Sequence, residues 1–362
     1  MPELRKDPVL GRWVIIATDR AKRPASLVHS APQNPIDENN PFLPGNESET
    51  PGEVLAYRPT GTKPNTPGWW VRVIPNKFPA LDSSGEMIRR GEGMYDMMNG
   101  VGRHEVVVES PDPTKQLPDM DEEQVQEVIW AYRDRSVDLK RDPRFRYIQV
   151  FKNYGIQSGA SFWHPHSQII ALPIVPSAVQ EEIWGAKRYY EYKERNVYLD
   201  IIHQEQRDKV RVIMENDQFI SFCPYASRFP FEMQIMLKER QQQFSDINKS
   251  SVTDLAEILK GSLKKLKTSL NDPAYNMIIR TTPEDESRSP YCHWRIEILP
   301  SLSRVAGFEW GSGFFINPVP PEVAAETLRN AELPKPEKNQ ETLKAKLIRE
   351  SKEQTEKLKK KT

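Results

Sequence analysis

Residues 153–173 read Asn-Tyr-Gly-Ile-Gln-Ser-Gly-Ala-Ser-Phe-Trp-His-Pro-His-Ser-Gln-Ile-Ile-Ala-Leu-Pro. The first half holds Gly155, Gly159, Ala160 and Ser161, a small flexible loop whose backbone N–H groups can approach an anion closely. The second half, His164 to Leu172, reads as a strand. Side chains alternate along a strand, so His164, His166, Gln168 and Ile170 share one face. Pro165 keeps the chain extended and removes a backbone donor between the two imidazoles. Three chemistries suit this polar row. One histidine attacks phosphorus while Gln168 donates to a phosphoryl oxygen. Alternatively the pair chelates a metal, with Cys292 and His293 as candidate further ligands. Or both are hydrogen-bonded histidines of a half-buried strand.

The stretch has an echo. His164-Pro-His166-Ser-Gln168 is matched by His293-Trp-Arg295-Ile-Glu297, and each copy soon reaches Leu-Pro. Val71–Ile74 is matched by Val210–Ile213, and Asp142-Pro143-Arg144-Phe145 by Asp272-Pro273-Ala274-Tyr275. A helical stripe of Val125, Val128, Ile129, Tyr132 and Val137 within Asp121–Leu139 is matched by Leu255, Ile258, Leu259, Leu263 and Leu266 within Val252–Leu270. The shared order points to an internal duplication, each copy being strands, a long helix and more strands, an α+β unit. Further strands are expected at Trp69–Ile74, His104–Ser110 and Arg146–Phe151. Residues 24–68, rich in Pro, Asn, Gly and Ser, read as irregular chain over a surface.

The chain has 362 residues, enough for about two domains. The boundaries read are 1–175, 176–332 and a charged tail, 333–362, helical or disordered. Lys plus Arg and Asp plus Glu are both 51, a balance that argues against a general nucleic-acid binder. The N-terminus is charged where a secretory signal would be apolar, and no run is long enough to span a membrane, so a cytoplasmic location with no membrane partner is expected. Two Cys and six His allow no disulfide framework and no four-cysteine zinc cluster.

The string G-A-S-x-x-H-P-H-S-Q resembles the active-site signature of the hexose-1-phosphate uridylyltransferases, the galactose-1-phosphate uridylyltransferase branch of the histidine-triad superfamily. Matching segments run from E-L-R-K-D-P at Glu3–Pro8 and R-A-K-R-P at Arg20–Pro24, through N-P-F-L-P-G-N-E at Asn40–Glu47 and P-N-K-F-P-A-L at Pro75–Leu81, to G-F-E-W-G-S-G-F-F-I-N-P at Gly307–Pro318. The resemblance implies an α+β fold of two histidine-triad-like halves with antiparallel sheets and packed helices. It implies a ping-pong reaction: His166 attacks the α-phosphorus of UDP-glucose, expels glucose 1-phosphate, and passes the uridylyl group to galactose 1-phosphate. It further implies that Arg20 and Arg23 hold phosphates, that Asn76 contacts the nucleotide, and that Asn153, Gly159, Ser161 and Gln168 line the phosphate site. His164 is a metal ligand in the family. A homodimer is compatible with the resemblance alone.

The chain departs from that pattern at the metals. The family's zinc positions read Asn40, Leu43, Pro113 and His164 here. A cysteine pair opening the second half reads Asn196 and Leu199, and a second-half metal site reads Arg240 and His293-Trp-Arg295. A metal-free protein is therefore expected, with Phe42, Leu43 and Leu199 packing where metals sat and Arg295 in a surface salt bridge. Relatives with the same Gly-Phe-Phe-Ile-Asn-Pro pattern use ADP-glucose with phosphate as acceptor, which makes sugar-nucleotide phosphorolysis the alternative reaction. A non-catalytic sugar-nucleotide binder and a metal hydrolase using His164, His166 and His293 are the readings from other classes. Trp69, Trp70, Cys223 and Cys292 read as core, His104 as a hydrogen-bonded strand residue, and His29 and His203 as surface residues.

Overall fold

The structure is a computed structural model that describes residues 1–22, 39–333 and 341–359. In chain order the elements are β1 (Glu3–Lys6), β2 (Trp13–Ile16), β3 (Leu55–Tyr57), β4 (Val71–Pro75), β5 (Arg89–Glu92), β6 (Tyr95–Met98) and β7 (Arg103–Val108). Next come α1 (Glu122–Leu139), β8 (Tyr147–Tyr154), β9 (His166–Leu172), α2 (Ser177–Lys193), α3 (Val197–Asp208), β10 (Val212–Glu215), β11 (Phe219–Phe222) and β12 (Met233–Leu237). The chain ends with α4 (Lys249–Ser269), β13 (Tyr275–Arg280), β14 (Arg295–Pro300), α5 (Gly307–Ser312), β15 (Phe315–Asn317), α6 (Pro321–Arg329) and α7 (Leu343–Lys359). The fold is α+β with antiparallel sheets, as expected from the sequence.

Two compact units form, each discontinuous in the chain. Unit 1 comprises 1–34, 151–161 and 175–334; unit 2 comprises 35–150, 162–174 and 335–362. In unit 2 the strand order is β8-β9-β7-β4-β3, with α1 inserted between the third and fourth strands of the chain order. In unit 1 the order is β13-β14-β12-β11-β10, with α4 in the same place. The two orders are the same. They align α1 with α4 and β9 with β14, as the sequence echo does. They align β4 with β11, however, so the echo of Val71–Ile74 in Val210–Ile213 is a chance match: Val212–Glu215 occupies the outer position that Leu55–Tyr57 holds in unit 2.

Both long helices form for local reasons. The Asp121 carboxylate accepts the Gln124 N–H at 2.8 Å, and the Asn248 side chain accepts the Ser251 N–H at 3.0 Å, each satisfying a first-turn donor. In α4 all five residues of the expected stripe are buried. In α1 Val125, Val128, Ile129 and Tyr132 are buried, but Val137 is only half-buried and Leu139 takes its place. The 3.6-residue period carries Leu139, not Val137, back to the sheet face.

The segment 39–68 is not merely a surface run. Asn40, Phe42 and Glu47 are buried, and the Trp69 indole N–H donates to Glu47 at 2.8 Å. The tail folds in part: α7 meets α1 through Lys344, which pairs with Glu127 at 2.6 Å, and through Thr342, which donates to Glu123 at 2.6 Å. Among the described residues no helix is long and apolar enough to cross a membrane.

Candidate active site

Strand β9 pairs antiparallel with β7, setting His166 opposite Val108 and Gln168 opposite Val106. Here the strand begins at His166; His164 lies in the bend before it. The His166 ring nitrogen Nδ1 is 2.8 Å from the carbonyl oxygen of His164. A carbonyl only accepts, so Nδ1 carries the proton; in the neutral ring Nε2 then carries the lone pair, the tautomer a nucleophile needs. Phe42 and Phe162 flank the ring at centroid distances of 5.6 Å and 6.5 Å. Phe42 also anchors a cluster with Trp69, Ile74, Val106 and Val108, so the imidazole rests on the unit's core.

His164 is buried, and both its nitrogens are engaged. Nε2 donates to the carbonyl of Ser110 at 2.7 Å, and Nδ1 accepts from the Asn40 amide at 2.9 Å. The Asn40 amide cannot turn over, because its oxygen accepts the Phe42 N–H at 3.0 Å. Two of the four zinc positions are thus joined by a direct hydrogen bond. The other two are a half-buried leucine, Leu43, and a proline, Pro113. These side chains do not fit zinc. Of the residues expected to fill the vacated space, Phe42 is core, while Leu43 and Leu199 are only partly buried.

Gln168 is oriented by His104, which the sequence presents as a hydrogen-bonded strand residue. His104 Nδ1 accepts the Ala80 N–H at 3.1 Å, so Nε2 bears the proton and donates to Gln168 Oε1 at 2.7 Å. With its oxygen held, Gln168 presents its NH₂ group as a donor elsewhere. Asn76 is part of the same cluster, 3.2 Å from His104 Nε2, and its own oxygen accepts the Phe78 N–H at 2.9 Å.

Asn153, Gly159, Ser161 and Arg20 lie in unit 1. Asn153 is half-buried and its oxygen accepts from Asn276 at 2.8 Å; Asn276 also donates to the Ser158 carbonyl at 2.9 Å. Asn276 was not among the expected site residues, and its one signal was its place in the strand after Asp272-Pro273. Residues 155–160 form a closed turn rather than an open anion cradle. The N–H groups of Ser158 and Ala160 go to the Gly155 carbonyl, and that of Gly159 goes to Ile156. Gly155 (φ +82°) must be glycine, since a Cβ would lie 2.7 Å from that of Ala274. Gly159 and Ser161 are exposed. Arg20 is exposed in the middle of a short 3₁₀ turn, Thr18–Lys22; Arg23 and His29 lie outside the described residues.

In unit 1 the strand matching β9 carries different chemistry. Arg295 is not in a surface salt bridge. It is buried against Glu182 at 3.0 Å and Glu297 at 2.6 Å, and Glu297 also faces Arg280 and Arg228 at 3.3 Å and 3.4 Å. Burial alone would push the Glu297 carboxyl up; Arg295, Arg280 and Arg228 overcome it and hold it below the ordinary carboxylate range. His293 donates to the Leu237 carbonyl at 2.9 Å, and burial pulls it down to about 4, so it stays neutral. Asn196, at a lost cysteine position, caps α3 by accepting the Tyr198 N–H at 2.9 Å. Trp69, Trp70, Cys223 and Cys292 are buried as expected, and His203 is exposed on α3.

A buried histidine with Nδ1 on a backbone carbonyl, beside an oriented amide on an α+β unit repeated in topology, fits the histidine-triad superfamily. The chain belongs to the galactose-1-phosphate uridylyltransferase family of that superfamily. Residues 1–176 match the family model of the galactose-1-phosphate uridyl transferase N-terminal domain, and residues 118–360 match a domain of unknown function. The chain is 39% identical to the ADP-glucose phosphorylase of Arabidopsis thaliana, over 92% of this chain and 93% of that one. It is 28% identical to the galactose-1-phosphate uridylyltransferase of Thermotoga maritima, over 92% and 99%. An Arabidopsis thaliana ADP-glucose phosphorylase structure with bound ADP-glucose superposes with a TM-score of 0.77 at 37% identity, covering 92% of this chain and 100% of that one.

Proposed function

We propose that this protein transfers a nucleotidyl group from a sugar nucleotide through a covalent intermediate on His166, and that ADP-glucose is the donor and phosphate the acceptor. The observation that carries the chemistry is the bond from His166 Nδ1 to the His164 carbonyl, which leaves the lone pair on Nε2. In the first step Nε2 attacks the α-phosphorus of ADP-glucose. The N–P bond forms, the bond to the bridging oxygen breaks, and glucose 1-phosphate leaves with the electron pair. In the second step a phosphate oxygen attacks the adenylyl-histidine, the N–P bond breaks, and ADP leaves. The Gln168 NH₂, aimed by His104, stabilises charge on the phosphoryl oxygens, and Asn153 is aimed in the same way by Asn276. Arg20, Arg23, Asn76, Gly159 and Ser161 are proposed to bind the substrate.

The nucleotide choice rests on the 39% identity to an ADP-glucose phosphorylase. The 28% identity to a uridylyltransferase supports a second reading, exchange of UMP between UDP-glucose and galactose 1-phosphate. No metal is assigned a part, because the side chains of Asn40, Leu43 and Pro113 do not suit one. The test is to mix the chain with ADP-glucose or UDP-glucose, denature it, and weigh the peptide bearing His166. An adenylyl adduct that phosphate discharges as ADP is expected. A uridylyl adduct discharged only by galactose 1-phosphate would establish the second reading, and no adduct from either donor would refute both.

A further inference from the structure

Unit 1 contains a cavity of about 840 Å³, and it lies on the strand that matches β9. In unit 2, β9 sets His166 and Gln168 against Val108 and Val106 of β7. In unit 1, β14 sets Arg295 and Glu297 against Met236 and Gln234 of β12, in the same register, and all four residues line the cavity. The matching position holds a guanidinium in place of the imidazole, so this pocket has lost the nucleophile while keeping the space.

Most charges on its wall are closed into pairs. Arg295 is spent on Glu182 and Glu297, and Arg228 on Glu232 at 3.0 Å and on Glu297. Among the described residues, two groups on the wall have a buried polar atom without a partner. The Arg12 Nε is buried without a hydrogen-bond partner, and the carboxylate beside its guanidinium, Asp7, stands 3.9 Å away. Asp7 Oδ1 accepts the N–H groups of Val9 and Leu10 at 2.8 Å and 2.9 Å, and Oδ2 is the atom that stands 3.9 Å from the Arg12 Nη2. The second group is Glu205. Both of its contacts from Arg211 fall on Oε1, and Oε2 is buried without a partner. Burying a polar group without a partner costs free energy that a bound molecule can return. Burial and the nearby Arg228 also disfavour the charge on Arg12, which an incoming anion would relieve.

We propose that this cavity is a second, non-catalytic ligand site and that it takes a small sugar phosphate. The phosphate meets Arg12, and a sugar hydroxyl donates to Glu205 Oε2. One anionic group and neutral hydroxyls suit the wall better than two anions, since a second negative charge would face Glu205. The volume exceeds what phosphate alone fills and falls within the range of small-molecule pockets. The exposed ring of Tyr225, with the guanidinium groups of Arg5 and Arg211 4.8 Å and 5.3 Å from its centroid, lines the same cavity.

The test is equilibrium dialysis of the full chain against labelled glucose 1-phosphate, with hydrogen exchange to locate the ligand. Two equivalents per chain are expected, with protection over Asp7–Arg12 and α3. Arg12→Met should weaken one equivalent by about 10- to 100-fold, the loss of a charge-assisted contact, and remove that protection while leaving the other equivalent in place. Retention of the other equivalent also reports that the variant is folded. Glu205→Gln is the second variant, and it should weaken the same equivalent. If neither Arg12→Met nor Glu205→Gln weakens any equivalent, whether the parent chain binds one or two, the proposal is overturned. The site does not use His166, so failure to trap a nucleotidyl-histidine would leave this result standing.

Discussion

His166 Nδ1 donates to the carbonyl of His164, two residues earlier in the chain, at 2.8 Å. Pro165 between them has no N–H of its own, and its carbonyl accepts the Glu109 N–H at 3.0 Å, so the bend that presents the His164 carbonyl is pinned to the neighbouring chain. The tautomer of the candidate nucleophile is therefore set by local backbone. His166→Gly should abolish the nucleotidyl-enzyme and lower turnover by roughly 10⁴-fold or more, as removal of a covalent nucleophile does. Intact-protein mass after mixing with ADP-glucose checks it. A full-size adduct in that variant would move the nucleophile elsewhere.

The bond from His104 Nε2 to Gln168 Oε1 gives a graded prediction. Gln168→Ala removes a donor to the phosphoryl group and should lower kcat by about 10²- to 10³-fold. His104→Leu should cost less, since Gln168 remains but can turn its amide. His104→Asn, able to donate again, should recover part of the loss. KM for the sugar nucleotide should change less than kcat in both His104 variants. A His104→Leu enzyme with unchanged kcat would show that the amide orients itself.

Much of this was legible in the chain. The 3.6-residue stripe of α4, most of that of α1, and the alternation that sets His166 and Gln168 on β9 all depend on local periodicity, which a sequence displays directly; His164, expected on the same strand, lies in the bend before it. What was hidden depended on long-range partners. The sequence reading assigns no helix to 177–208, where α2 and α3 form; Glu182 and Glu205 interrupt their buried faces, and their counter-charges Arg295 and Arg211 are distant in α2's case and beyond the helix end in α3's. Asn276 could not be linked to Asn153 from spacing, and the false match of Val210–Ile213 arose because short β-branched runs recur by composition. The loop after Asn153 looked like an anion cradle because glycine permits one; its amides instead close a turn.

Asn40 makes the absence of zinc ligands a stability question. Its amide joins His164 Nδ1 to the Phe42 N–H inside the core. Asn40→Ala leaves both buried groups without that partner and should cost about 1–3 kcal/mol in urea unfolding. Chelator should leave the unfolding midpoint of the parent chain unchanged, and elemental analysis should find no stoichiometric zinc. A midpoint that falls with chelator would contradict the fit argument made from Asn40, Leu43 and Pro113.

His293 supplies a pH dependence. Burial holds it down to about 4, against the ordinary 6.5, with the charges of Arg295 and Arg240 acting in the same direction. Between those values the unfolded chain binds more protons than the folded one. Its contribution to stability is therefore complete above about pH 6.5 and is lost as pH falls toward 4. From pH 7 to pH 5 the loss from this residue should be about 2 kcal/mol, read from urea unfolding at each pH. His293→Gln should flatten that slope, whatever it does to stability at pH 7.

Arg295 gives the sharpest structural test, because removing a charge and removing a pair have opposite consequences. Arg295→Met strands Glu182 and Glu297 in the interior with less counter-charge and should cost about 3–5 kcal/mol. Arg295→Met with Glu297→Leu removes one charge of each sign, keeps the balance among Glu182, Glu232, Arg228 and Arg280, and should recover most of that loss. A surface pair would behave otherwise, with both variants falling within about 1 kcal/mol of the parent. Urea unfolding of the two variants decides between these. If the double variant is no more stable than the single one, the guanidinium stabilises unit 1 through packing against Tyr198, 5.4 Å from the ring centroid, and not through charge.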